Sequence, residues 1–280
     1  MTENTTDCTH DCASCGATCA SSERRTSLRA SLRPESHVKN VIGIVSGKGG
    51  VGKSLVTGLL AARLSKHGKR VAVLDADITG PSIPTSFGVA EEKATGDKTG
   101  AIYPVRTKSG IQLMSMNFLL AHETDPVLWR GPVIAGAVKQ FWTDVVWQDV
   151  DYMLVDLPPG TGDVPLTVFQ SLPVDGIIVV ASPQQLVRVI VEKAVKMAEE
   201  MRIPIVGLVE NMSYVACPDC GREIHVYGRS NIDGIAKDYG LPVLGRIPIS
   251  EMISRAVDEG EIETLDADYL DAAVALLEAL

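Results

Sequence analysis

The chain has 280 residues, 45% of them hydrophobic, with a formal net charge of -9. That length and apolar content suit one large α/β domain with an appendage, and an acidic total disfavours a broad nucleic-acid surface. No apolar run approaches the roughly 18 residues of a membrane-spanning helix, and the first 20 residues carry acids and cysteines in place of the apolar segment of a secretory signal. The expectation is therefore a cytoplasmic protein with no membrane or nucleic-acid partner.

Residues 1–39 are polar, rich in Thr, Ser and Arg, and too poor in apolar side chains to fold alone. They divide into a cysteine-rich, metal-binding tail, 1–20, and a flexible linker, 21–39. Cys8, Cys12, Cys15 and Cys19 step by four, three and four. In a reducing compartment such clusters more often hold metal or do redox chemistry than form disulfides. On a helix the four would make one stripe about 16 Å long, too long for one centre to reach both ends. The segment must wrap as a loop to close a four-thiolate site, and three readings stand for it: a second iron–sulfur cluster, zinc, or nothing stable.

A folded domain is expected over residues 40–280. Residues 41–45 are a short β-branched run, followed by a glycine-rich loop and a helix-like stretch at 53–67. Further apolar runs at 70–74, 111–116, 152–155, 176–180, 203–209 and 243–247 read as strands. Longer stretches at 132–147, 184–201, 231–239 and 266–280 read as helices. Continuously apolar strands alternating with helices predict an α/β fold: a mostly parallel sheet with helices on both faces. In such sheets ligands lie beyond the carboxyl ends of the strands, so the residues that follow each apolar run are the informative ones.

Gly47, Lys48, Gly49, Gly50, Val51, Gly52, Lys53 and Ser54 fit G-x-x-x-x-G-K-[ST], between a strand-like run and a helix. The glycines let successive N–H groups turn toward phosphate oxygens, and the helix N-terminus adds a favourable dipole. Lys53 would reach the β- and γ-phosphates of ATP, and the Ser54 hydroxyl would bind Mg²⁺. Asp75 and Asp77 follow the second strand, where carboxylates would lie near the γ-phosphate; ordinary surface acids or helix caps are the alternative. Asp156 ends the run Tyr-Met-Leu-Val-Asp, the Walker B arrangement that binds Mg²⁺ directly or through water. Residues 157–163, Leu-Pro-Pro-Gly-Thr-Gly-Asp, read as a switch beside that carboxylate.

Lys48 places a second lysine inside the loop, and Lys-Gly-Gly-Val-Gly-Lys-Ser resembles the signature of the deviant Walker A P-loop NTPases, which include MinD, ParA and the nitrogenase iron protein. The resemblance implies a homodimer closing face to face on two nucleotides, with Lys48 reaching the partner's phosphates as an arginine finger does. It implies that Asp77 orients the attacking water, that Asp75 helps hold the Mg²⁺ water shell, and that Asn211 reads the adenine edge. Asp-Ala-Asp-Ile-Thr-Gly-Pro-Ser, Asp-Leu-Pro-Pro-Gly-Thr-Gly-Asp and the paired cysteines after Asn-Met-Ser narrow the likeness to the Mrp family of ATP-binding iron–sulfur carrier proteins, including ApbC. These motifs span about residues 41 to 250.

Cys217 and Cys220 lie in an insertion near 212–227 and supply two thiolates. A four-iron four-sulfur cluster or a structural zinc usually takes four strong ligands, and two copies supply four. The resemblance implies a 4Fe-4S cluster bridging the homodimer, loaded from donors and passed to acceptor apoproteins, with ATP hydrolysis coupled to loading or transfer. A zinc knuckle with His225 and a redox dithiol stay open for this pair. Two other classes are a MinD- or ParA-type positioning ATPase and an electron-transfer ATPase. Against membrane positioning, residues 266–280 carry Asp266, Asp268, Asp271 and Glu278 and no Lys or Arg, unlike a basic amphipathic anchor.

Overall fold

The nine residues Val38–Ser46 form β1. Its side chains alternate between two cores, with Val41 and Val45 in one and Ile42 and Ile44 in the other, as the two-residue strand period requires. The computed structural model describes residues 29–78, 82–120, 131–160, 162–183 and 187–280. Cys8, Cys12, Cys15 and Cys19, and with them the expected metal-binding tail, lie outside the described residues.

After β1 come α1 (Lys53–Lys66), β2 (Val71–Asp75), the short α2 (Ile83–Ser86), β3 (Thr95–Gly96), β4 (Ile102–Tyr103), β5 (Val105–Arg106) and β6 (Gln112–Met114). The chain continues through α3 (Gly131–Thr143), β7 (Val150–Asp156), α4 (Asp163–Ser171), β8 (Gly176–Ala181), α5 (Val187–Met201) and β9 (Ile205–Glu210). It ends with the β10–β11 hairpin (Val215–Ala216, Glu223–Ile224), α6 (Ile232–Asp238), β12 (Val243–Arg246), α7 (Glu251–Asp258) and α8 (Asp271–Glu278).

Eight strands make one sheet in the order β12-β9-β8-β1-β7-β2-β6-β5, parallel except for β5 at one edge. The strands read as unbroken apolar runs because helices cover both faces. One core joins the sheet to α3, α4, α5 and α6 through side chains such as Phe141, Trp142, Val168, Val191 and Ile235. The other joins it to α1, α2, α7 and α8 through Leu59, Leu64, Ile83, Ile253, Val274 and Leu277. The chain runs outward from β1 on one side to β2 and β6, returns to β7, then crosses to β8, β9 and β12. β1 is thus the point at which the order reverses, and its carboxyl end is where a ligand crevice belongs.

Three expectations are corrected. The flexible linker was drawn to residue 39, but its last ten residues are docked. Ala30 N donates to the Ser171 carbonyl (2.7 Å), the Trp142 indole N–H donates to the Ala30 carbonyl (2.9 Å), and His37 N donates to the Trp147 carbonyl (2.9 Å), leading into β1 at Val38. The helix expected over 266–280 is a 3₁₀ turn at Asp268–Leu270 followed by α8. Arg63 on α1 holds Asp266 and Asp271 together, at 2.8 and 2.6 Å, and bends the chain between them. Ala273, Val274 and Leu277 then bury the apolar face of α8 in the core. Finally, α2, α4 and α7 were not read as helices, being short and following turn-rich sequence.

The register of β2 against β7 is set at its start by a reciprocal clasp. Asp151 N donates to the Arg70 carbonyl (2.8 Å), and the Asp151 carboxylate accepts from Arg70 N, Nε and Nη2 at 2.9–3.1 Å. The hydrogen bonds from Arg70 hold the Asp151 carboxyl down to about 2, below the ordinary 3.8. The native state therefore prefers this carboxylate ionised, and its contribution is present above the ordinary value and lost as pH falls through about 2. Asp151→Asn is expected to flatten that part of the acid limb of stability against pH, measured by urea unfolding from pH 5 to pH 2 (~, the interval that brackets both values).

Candidate functional site

The loop from Gly47 to Gly52 leaves the carboxyl end of β1 and delivers Lys53 and Ser54 to the first turn of α1. Two of its glycines are required by backbone shape: Gly50 and Gly52 have φ of 75° and 76°, the left-handed region that a side chain disfavours. Gly47 is required by space, because a Cβ there would lie 2.7 Å from Ile190 of α5. The loop walls a cavity of about 310 Å³, lined also by Lys48, Asp77, Ser82, Ser86 and Pro159.

Beneath the loop the Asp156 carboxylate, at the end of β7, is fully buried. It accepts from Lys53 Nζ at 2.7 Å, from Ser54 Oγ at 2.5 Å and from Thr57 Oγ1 at 2.8 Å. All three donors come from the start of α1, so one carboxylate ties the loop, the helix and the sheet. Lys53 is 5% exposed, and Asp77 Oδ2 lies 3.8 Å from its Nζ. A buried ammonium needs such partners, since removing a charge from water costs several kcal/mol. Lys48 is half-buried on the cavity wall.

Asp75 sits behind this group. Its Oδ2 accepts from Ser115 Oγ at 3.0 Å and its Oδ1 from Asp77 N at 3.1 Å. Burial lifts the Asp75 carboxyl well above the usual carboxylate range; the nearby Asp156 charge adds to this, and Lys53 and Ser115 oppose it. Asn211, just past β9, is buried against the loop and donates from Nδ2 to the Val51 carbonyl at 2.9 Å. The structure thus gathers Lys48, Lys53, Ser54, Asp75, Asp77, Asp156 and Asn211 at one edge of the sheet. Of the expected switch, Gly160 has a φ of 89° and donates to the Ser46 carbonyl at 2.9 Å; Thr161 is outside the described residues.

Two members were missed by the sequence reading. Thr57 lies three and four positions beyond Ser54 and Lys53, the helical spacing that puts side chains on one face. Ser115 directly follows β6 and obeys the strand-end rule that picked out the aspartates.

Cys217 and Cys220 stand apart from this centre, on the turn of the β10–β11 hairpin. Cys217 N donates to the Arg222 carbonyl and Gly221 N to the Cys217 carbonyl, at 2.9 and 2.8 Å. Cys220 is exposed and Cys217 half-buried. Backbone N–H groups of Asp219 and Cys220, with the Cys220 thiol, hold the Cys217 thiol below its usual value, which favours the thiolate that binds metal. His225 turns its Nδ1 to the Ser213 carbonyl at 3.4 Å. Among the described residues no three His, Cys, Asp or Glu side chains group as a metal site.

Thr57→Val, which keeps shape but deletes a donor to a buried carboxylate, is expected to cost roughly 1–3 kcal/mol of stability. Thr57→Ser should stay close to the parent, both read by urea unfolding.

Residues 37–279 match the model of a ParA family described as the NUBPL iron-transfer P-loop NTPase. A protein described as an iron-sulfur cluster carrier protein from Clostridium perfringens is 44% identical over 238 residues, covering 83% of this chain and 84% of its own. One of the same description from Methanocaldococcus jannaschii is 47% identical over 226 residues, covering 80% and 78%. Among solved structures, a nucleotide-binding protein from Archaeoglobus fulgidus in complex with ADP superposes with a TM-score of 0.75 at 41% identity, covering 83% of this chain and 90% of that one. The septum site-determining protein MinD from Pyrococcus horikoshii with Mg-ADP shares the fold, with a TM-score of 0.57 at 21% identity, covering 87% and 96%.

Proposed function

The chain belongs to the ParA family of NUBPL iron-transfer P-loop NTPases, and on that premise we propose that it is an ATP-hydrolysing iron–sulfur cluster carrier. The observation that carries the reading is the pairing of two features in one chain: a phosphate loop lying over Lys53 and Asp156, and an accessible Cys217/Cys220 pair in which the Cys217 thiol is held below its usual value.

ATP binds with its phosphates in the loop, where the N–H groups and Lys53 meet the charge. The Ser54 hydroxyl and Asp156 carboxylate, 2.5 Å apart, are the hard oxygen donors that suit Mg²⁺, which when bound neutralises charge on the phosphates. Lys53 then shares its ammonium between Asp156 and the phosphate oxygens. Asp77, 3.8 Å from Lys53 and on the cavity wall, orients the attacking water. Asp75 holds the backbone of Asp77 in place and stands behind the Mg²⁺ water shell. Asn211 serves the adenine edge through the amide atoms that its bond to the Val51 carbonyl leaves over. Lys48 acts across a homodimer on the partner's phosphates, supplying charge where the transferring group gains it.

The cargo is held by two thiolates from each protomer, four in all, the number a 4Fe-4S cluster takes. An exposed hairpin lets the cluster be received from a donor and released to an acceptor apoprotein. Hydrolysis couples to loading or transfer by favouring one dimer state over another. The site of action is the cytoplasm, and the N-terminal Cys8, Cys12, Cys15 and Cys19 form a separate metal-binding group.

Anaerobic reconstitution of the full chain tests this, with iron, sulfide and zinc analysis and a dimer assay. Cys217→Ala/Cys220→Ala is expected to lose about one cluster per two chains, and full retention of iron, or zinc in its place, overturns the assignment. Lys48→Ala should still bind ATP but hydrolyse it about 10³-fold more slowly.

A further inference from the structure

β9 ends on Glu210, and the residues that follow run straight to the base of the hairpin carrying Cys217 and Cys220. They are held by quite different parts of the molecule. Asn211 N donates to the Ala181 carbonyl at the end of β8 (2.8 Å), and its side-chain amide donates to the Val51 carbonyl of the phosphate loop (2.9 Å). A Cβ on Gly52 would collide with that same amide, so the loop and Asn211 touch at two successive residues. Ser213 N donates to the Ile247 carbonyl (2.9 Å) and Ser213 Oγ to Glu210 Oε2 (2.6 Å). The Ser213 carbonyl lies 3.4 Å from His225 Nδ1, one residue past β11, and the Tyr214 carbonyl accepts from Ile249 N (2.7 Å). Both strands of the hairpin are therefore anchored at Ser213, one through the chain and one through His225.

Two features of this stretch are costly. Met212 has a φ of 58°, in the region that a side chain disfavours. Glu210 is 1% exposed, yet its Oε1 has no hydrogen-bond partner among the described residues, and the Arg246 guanidinium approaches its other oxygen only to 4.0 Å while bonding Asp233. A buried, half-satisfied carboxylate beside a strained residue marks a segment with a second arrangement within reach. The hairpin above it has only two paired positions, and residues 218–224 are exposed. So short a ladder does not hold its own direction; the base sets it.

The loop supplies the input. The Val51 carbonyl shares a rigid peptide plane with Gly52 N–H, one of the donors that phosphate oxygens recruit. Fixing that N–H fixes the carbonyl that Asn211 holds. We propose that residues 210–214 couple occupancy of the phosphate loop to the aim and exposure of the Cys217/Cys220 pair, with Ser213 as the positioning residue. The coupling rests on the reading of the loop as the nucleotide site and of the thiols as the cargo site.

The test is alkylation of iron-free, reduced full-length protein by iodoacetamide, with and without saturating Mg-ATP. The Cys217/Cys220 peptide is quantified by mass spectrometry, so that the four N-terminal thiols do not contribute. The wild-type rate is expected to change at least about fivefold with ATP, and Ser213→Ala to bring that ratio to about one at unchanged ATP affinity. Ser213→Thr, which keeps the hydroxyl, restores the ratio. Should Ser213→Ala fail to fold, His225→Ala removes the other anchor and is expected to abolish the ratio as well. Equal wild-type rates with and without ATP, or a wild-type ratio in Ser213→Ala or in His225→Ala, overturn the proposal. Iron content is measured in parallel on the wild type: loss of iron binding with ATP-dependent alkylation intact would remove the cargo reading and leave the link standing.

Discussion

A carboxylate that solvent cannot reach, at the end of a central strand, has to be met by donors. Asp156 is met by three, all from the first turn and a half of α1. Desolvating an ion pair costs several kcal/mol per charge, and the attraction repays this only where the remaining lone pairs are also satisfied. Here the Ser54 and Thr57 hydroxyls do that. The result joins β7, β1 and α1 at one point beneath the glycine loop. A phosphate group arriving in the loop competes for the same Lys53 ammonium and the same Ser54 hydroxyl, so the interaction that stabilises the pocket is also the one a nucleotide must rearrange.

The parallel sheet explains why the other groups fall within reach. Strands β6, β2, β7, β1, β8, β9 and β12 of the large sheet all point the same way, so the residues just beyond β1, β2, β6, β7 and β9 gather at one edge. Asp75 and Asp77 leave β2, Ser115 leaves β6, and Asn211 leaves β9. The thiol hairpin also follows β9, which puts Cys217 and Cys220 beyond the same ends of the strands as the phosphate loop, and the bonds from Ser213 to Glu210 and from Asn211 to Val51 tie its base toward that loop. The final helix packs on the face that also carries α1, where Tyr152 Oη donates to the Leu277 carbonyl at 3.0 Å. Its apolar side is thereby spent on the core.

The seven parallel strands were legible because a strand covered on both faces is apolar at every position, as in Ile-Ile-Val-Val at 177–180, while the two-residue β3, β4, β5, β10 and β11 are too short to show a pattern. The phosphate loop was legible because its glycines answer a local backbone demand. Helices α4 and α7 were not, since each is under three turns and follows a turn-rich stretch. The docking of residues 30–37 was also hidden, because a polar segment shows no periodicity when it is held by backbone bonds to Ser171 and Trp147.

Read alone, the chain specified its layer architecture, its loop chemistry, the acids at the strand ends and the closely spaced Cys217 and Cys220, for these depend on residue type and short spacing. Which strand lies beside which, and hence that Thr57 meets Asp156, Ser115 meets Asp75 and Asn211 meets the loop, came only with packing. Those contacts span tens to more than a hundred residues, and nothing in a local pattern encodes the partner on the far side of a sheet. Hydrogen bonding chose among the candidates once burial had brought them together.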